Sequence, residues 1–178
     1  MKLVEIEKSL YRQRLNKVIV GFILCLAILS LAFGQGLIAL FADPVSAVAQ
    51  GAEPASNFRF NLLGVILALL ACAAGLHQLR EKSFFTEIYY VWQLKQLQNL
   101  IYRRLKNIKA AAERGEADAL VILSFYYASL KQVYLLDDNT LTLSKLEKDI
   151  SQLNETISQQ HVSISVEQFD KSMLESYK

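Results

Sequence analysis

Two thiols, two imidazoles and one run of acidic and amide side chains are the groups in this 178-residue sequence that most invite a chemical reading. Cys25 lies eight residues after Lys17, and Cys72 lies eight before Arg80. On helices rising about 1.5 Å per residue, both thiols would sit about 12 Å below the same charged boundary, as neighbours if the two segments form a hairpin. Facing thiols suggest redox or metal chemistry. An apolar site, however, raises a thiol's pKa and keeps it inert, and a reducing compartment disfavours disulfides, so the expected role is small hydrophobic filler. His77 and His161 are too far apart to form a motif. Asp137-Asp138-Asn139 resembles an acidic metal cluster, yet adjacent carboxylates with no third ligand at a helix break read as a turn with a cap. There is no Walker loop, dinucleotide-binding glycine turn, nucleophile elbow, His-Glu-x-x-His or Cys-x-x-Cys. With no residue assignable as acid, base or nucleophile, the expectation is a non-enzyme that needs no cofactor and no metal.

The elements that would carry these groups are dominated by apolar sequence: 53% of the residues are hydrophobic. Val18 to Phe41 gives 24 residues without Asp, Glu, Lys or Arg, and Phe60 to Leu79 gives another 20. Each run is long enough to cross a bilayer as a helix, and in hydrocarbon only a helix satisfies its own backbone. A signal-peptide core is about 7 to 15 residues long, so the first run reads as a retained span. The composition excludes a disordered chain, a disulfide scaffold and a freely soluble enzyme. It predicts an all-α membrane protein, in which a two-helix transmembrane hairpin precedes a cytoplasmic bundle of about three helices. The expected division is a basic amphipathic segment (1–17), first span (18–41), periplasmic loop (42–59), second span (60–79), helical domain (80–158) and polar tail (159–178). Both prolines, Pro44 and Pro54, fall in the loop.

Charge placement orients the hairpin. Lys2, Lys8, Arg12, Arg14 and Lys17 outweigh Glu5 and Glu7 before the first span, whereas Arg59 is outweighed by Asp43 and Glu53 in the loop. Lys- and Arg-rich flanks stay inside, so both termini are expected to be cytoplasmic. Arg80 and Lys82 after the second span agree. Lipid offers apolar helices no hydrophobic reason to associate, and small residues must let the backbones approach. Gly64, Ala68 and Cys72 at spacing four in the second span, with Ser30 and Gly34 or Ala32 and Gly36 in the first, offer a packing face between the helices or a motif for dimer formation. Gln35 is expected to hydrogen-bond between helices.

Between Leu76 and Arg114 there is neither Gly nor Pro, which predicts one long helix with at most a bend near Ser83. Phe84, Phe85, Tyr89, Tyr90 and Trp92 crowd its start; they suit the headgroup level of a membrane or, equally, an aromatic core patch. Leu94, Leu97, Ile101, Leu105 and Ile108 form an apolar stripe. Lys95, Arg103, Lys106, Lys109 and Arg114 gather on another face, either solvated or apposed to anionic lipid. No nucleic-acid motif accompanies them, and nucleic acid is not an expected partner. Gly115 is a left-handed cap, and a second helix should run from Glu116–Asp118 to about Leu136. Apolar on every side, it should be the buried middle of the bundle. A third helix, capped at Thr142 with Leu141 and Leu146 as a staple, carries Leu143, Leu146, Ile150, Leu153 and Ile157 at coiled-coil rhythm. That seam could pack on its own domain or on another subunit. The tail, with Val162, Ile164 and Val166 alternating before Phe169, Met173 and Tyr177, reads as a weakly ordered strand or helical arm that docks on a partner.

Tyr11-Arg12, Leu15-Asn16, Asn61-Leu62-Leu63-Gly64, Tyr90-Val91-Trp92-Gln93-Leu94-Lys95, Ile101-Tyr102-Arg103-Arg104 and Asp137-Asp138-Asn139-Thr140-Leu141-Thr142 occur in that order. In this the chain resembles a family of short two-span proteobacterial inner-membrane proteins of unknown function, over roughly residues 1 to 150. The resemblance implies a bacterial inner-membrane location and supplies no activity. Three functions fit these expectations. The first is a membrane-anchored interaction or scaffold module that binds a membrane-protein partner or another copy of itself. The others are a small homo-oligomeric channel and a sensor of anionic membrane lipid.

Overall fold

The computed structural model describes residues 2–42, 57–160 and 162–177, and all regular structure among them is helical, without a strand. The expected loop lies almost wholly outside the described residues, as does His161. The helices are α1 (Lys8–Phe41), α2 (Phe58–Leu79), α3 (Thr86–Tyr102), α4 (Leu105–Glu113), α5 (Ala117–Leu136) and α6 (Leu143–Gln159). Short 3-10 turns cover Ser83–Phe85, Val166–Gln168 and Lys171–Tyr177. The chain divides into two compact units, Gln13–Thr86 and a second made of Met1–Arg12 with Glu87–Lys178.

In the first unit, α1 and α2 pack antiparallel. The uncharged run does not begin its own helix: α1 starts ten residues earlier, and its 34 residues absorb the basic flank. Gly64, Ala68 and Cys72 are the buried residues of α2. Most other side chains of α1 and α2 are apolar and face outward.

The second unit is built around α5. Leu120, Ile122, Phe125 and Ser129 are completely buried there, and Val121, Leu123, Tyr126 and Tyr127 nearly so, which leaves α5 only a narrow wet stripe along Ser124, Ala128, Lys131 and Leu135. Around it α3 supplies Val91, Leu94, Leu97 and Ile101, α4 supplies Ile108, Ala111 and Ala112, and α6 supplies Leu146 and Leu153. Burying one such large side chain contributes about 1.5–3 kcal/mol, so this core is the main source of the unit's stability. One polar pair lies inside it: Gln98 donates to Ser129 Oγ at 3.1 Å, and Ser129 donates to the Tyr126 carbonyl at 2.7 Å. Both side chains are thereby satisfied where an unpaired one would be costly. Gly115 at φ +84° turns the chain from α4 into α5, a backbone state that glycine adopts without strain.

Four sequence expectations need correction. The long helix through Arg114 is interrupted twice, at Arg80–Phe85 and at Arg103–Arg104. At the second break the Arg104 amide bonds back three residues to Ile101, and its guanidinium donates to the Leu174 carbonyl of the tail. A tertiary contact thus occupies a break that no Gly or Pro announces. Thr142 precedes α6 without a side-chain cap bond, and Leu141, 91% exposed, forms no staple. Finally, the tail is neither strand nor free arm. Phe169 stacks on Phe125 with centroids 4.0 Å apart, and Leu174 and Tyr177 are buried in the same core.

Candidate functional site

The N-terminal residues are the least anticipated part of the structure. Lys2–Glu7 run without helix along the second unit, where the Val4 amide donates to Tyr90 Oη at 2.8 Å and Gln132 donates to the Val4 carbonyl at 2.5 Å. One turn into α1, Tyr11 is only 3% exposed. Lys8 and Arg12 flank it in sequence, and both pair with Asp138. Asp138 holds φ +56° in the turn after α5, and neighbouring Asp137 bonds Lys95 at 2.8 Å. The expected turn at Asp137–Asn139 is therefore also an anchor. Burial, reinforced by the Asp137 carboxylate and its hydrogen bond, pushes the Tyr11 hydroxyl up to about 12. Burial likewise raises Tyr90, partly offset by the Val4 amide. This cluster is a latch of ion pairs and hydrogen bonds that ties the start of α1 to the helical unit.

The predicted packing face comes together in the first unit. A Cβ added to Gly64 would lie 2.6 Å from the Gly34 amide nitrogen and 3.1 Å from the Ser30 carbonyl oxygen, so the backbones touch. Ser30 Oγ donates within its own helix to Leu26, at 2.6 Å. Cys25 and Cys72 border the same cavity. Gln35 faces outward, and no bond to the other helix marks it.

The five aromatics divide. Tyr90 packs on the helical core and holds Val4. Phe84 and Phe85 meet edge to face at 5.4 Å, with the Arg14 guanidinium 5.5 Å above the Phe84 ring. Tyr89 stacks on Trp92 at 5.6 Å, and Trp92 remains 54% exposed. The basic face is not continuous, because the helix that would carry it breaks between Lys95 and Lys106. Lys95 pairs with Asp137, Arg114 pairs with Glu116 at 2.6 Å, and Lys109 lies 6.0 Å from the Tyr127 ring. Arg103 and Lys106 stay exposed.

The association seam turns inward. Leu146 and Leu153 are buried, and Ile150 and Ile157 pack beside them on the core of their own chain; Leu143 is half-buried. Its rhythm therefore serves packing within the chain. A cleft of about 150 Å³ opens between α4, α5 and α6 beside Lys109, Tyr127 and Asp149. It is smaller than the roughly 300–1,000 Å³ typical of small-molecule sites. Among the described residues, no three His, Cys, Asp or Glu side chains converge as metal ligands.

A family model described as "Protein of unknown function (DUF3087)" matches residues 1–174. The chain belongs to that family. No curated protein and no solved structure matches it. The DUF3087 match begins with the latch segment and reaches the buried Leu174, well past the residue 150 at which the sequence resemblance was expected to stop. The tail is thus part of the family's unit.

Sequence reasoning missed Tyr11 and the tail anchors. A lone tyrosine among charged residues is a weak signal for Tyr11. For the tail, the aromatic and apolar residues at Phe169, Leu174 and Tyr177 would have been enough to suggest burial.

Proposed function

We propose that this DUF3087 protein is a non-catalytic, membrane-anchored interaction module of the bacterial inner membrane. In this reading α1 and α2 cross the bilayer as a hairpin and the helical unit lies on the cytoplasmic side. The observation that carries it is a contrast among the three described helices long and apolar enough to cross a membrane. Only 6% and 17% of the apolar windows of α1 and α2 are buried within the protein, against 61% for α5. The first two leave their apolar faces for lipid; the third already has protein around it. The latch adds support. Residues 2–12 belong to the same unit as residues 87–177, which favours a reading with both ends on one side and an even number of crossings between them. The excess of Lys and Arg on those flanks makes that side cytoplasmic.

With the α6 seam spent internally, the surface offered to a partner is the outer face of α3 and its continuation, with Trp92, Tyr102, Arg103 and Lys106 exposed. Exposed aromatics beside arginine have the composition of binding hot spots. The test pairs topology with composition. A reporter active only in the periplasm should work when inserted near residue 50 and fail at the C-terminus. Native mass spectrometry of the full-length protein in mild detergent should then reveal a companion protein or further copies, lost on Trp92→Ala with Arg103→Glu. An active C-terminal reporter would overturn the orientation, and a bare monomer would overturn the partner. A homo-oligomer that survives those substitutions would favour the channel.

A further inference from the structure

The two apolar helices touch at one level and part at another. At Gly64 there is no room for a Cβ, whereas a Cβ at Gly21 or Gly75 would meet nothing within 4 Å. Both of these glycines border a cavity of about 360 Å³, walled by Phe22, Leu76 and Phe85 and reaching Cys25 and Cys72. Lys17 is the one charged residue on its lining. The volume lies within the range of small-molecule sites, and the wall is one that an acyl chain would wet.

Among the described residues of this unit, basic side chains outnumber acidic ones. Arg14 is held over Phe84 and donates to the Ser83 carbonyl at 3.0 Å, next to the Lys17 end of the cavity. Arg80 and Lys82 follow α2. Among the described residues of this unit Glu81 is the only acid, and it pairs with Arg80 at 3.4 Å. An apolar slot with Lys17 on its lining and Arg14 beside its Phe84 wall complements a molecule with a hydrocarbon chain and an anionic head. Basic pockets between membrane helices on the cytoplasmic side hold anionic lipid headgroups in this way.

We propose that the cleft between α1 and α2 binds one anionic phospholipid, with an acyl chain along Gly21 and Gly75 and the headgroup phosphate at Lys17. The assignment rests on the membrane reading above and adds a specific site to it. The two glycines make the site by omission, since any larger side chain there would occupy the slot.

The full-length protein, stripped of lipid in mild detergent, is titrated with phosphatidylglycerol or phosphatidylcholine of identical chains, and bound lipid is counted by native mass spectrometry. One phosphatidylglycerol per chain is expected to persist where phosphatidylcholine is lost. Gly75→Phe and Gly21→Leu, at positions on opposite walls where an added Cβ meets nothing within 4 Å, should each abolish retention at unchanged helical circular dichroism. Lys17→Gln should weaken phosphatidylglycerol about fivefold, the effect of one surface charge, and leave phosphatidylcholine unaltered. Equal retention of the two lipids by the wild type, or wild-type retention by the filled variants, overturns the proposal, as does a protein in place of lipid. Two fillers and a surface variant keep the test decisive if one substitution prevents folding. Extraction of the wild type by alkaline carbonate would instead overturn the membrane reading itself, an outcome seen before any lipid is added.

Discussion

Helices α2 and α5 are alike in sequence and opposite in use. Each is about twenty residues of mostly apolar side chains, yet α2 buries only Gly64, Ala68 and Cys72, while α5 buries residues on nearly every side. The reason lies in the neighbours. Amphipathic helices α3, α4 and α6 each present one apolar face to α5, whereas α2 meets α1 along a strip of small residues. Apolar content alone therefore does not separate a core helix from one that turns its apolar side chains outward. What separates them is whether other parts of the chain carry matching faces.

That contrast is open to attack. The largest effect should follow truncation in α5: Phe125→Ala removes a fully buried ring that also stacks on Phe169, and should cost about 3–5 kcal/mol. The matched change Leu70→Ala in α2, at a side chain 63% exposed, should cost well under about 1 kcal/mol in detergent. Chemical denaturation of both variants checks this, and equal losses would erase the distinction. Next comes the small-residue strip. Gly64→Leu must push the backbones apart and should destabilise the pair by about 1–3 kcal/mol, read as lost oxidative cross-linking of Cys25 to Cys72. Gly36→Leu, at a site with nothing within 4 Å, should leave cross-linking intact.

The latch is predicted to be weaker and sensitive to pH. Because the folded protein holds Tyr11 at about 12, above its ordinary value of 10.0, its contribution is fully present below pH 10 and is lost as pH rises through 12. Hydrogen exchange of residues 2–12 should accelerate across that window, and Tyr11→Phe should reduce the dependence, with Tyr90, also raised by burial and holding Val4, supplying the rest. The smallest effect belongs to Asp138→Asn. Asparagine tolerates the left-handed backbone at φ +56°, so the variant isolates the charge. Half-exposed pairs with Lys8 and Arg12 are worth about 0.2–1 kcal/mol each. Exchange at the N-terminus should rise modestly, while the α5 core stays protected.

Much of the fold was legible because it is written in local periodicity. The uncharged runs, the spacing of Gly64, Ala68 and Cys72, the left-handed turn at Gly115 and the all-round apolar character of α5 each depend on a few neighbouring residues. The candidate sites were legible only in part. Lys95, Arg103, Lys106, Lys109 and Arg114 share a face only if their helix is unbroken, and a contact from Arg104 to residue 174 accompanies the break.

By itself, the sequence determined that the chain is helical, that two segments carry no charge over a membrane's thickness, and which side of each amphipathic helix is apolar. Hydrogen-bond satisfaction and side-chain spacing decide those matters within a few turns. Only the tertiary structure decided what each apolar face meets: α6 and the tail close on their own core, Tyr11 and Val4 dock on the far end of the chain, and Gly21 and Gly75 border open space. Periodicity states that a face must be covered and leaves the choice of cover open. Shape and charge complementarity between residues more than 80 positions apart, as between Val4 and Tyr90, make that choice.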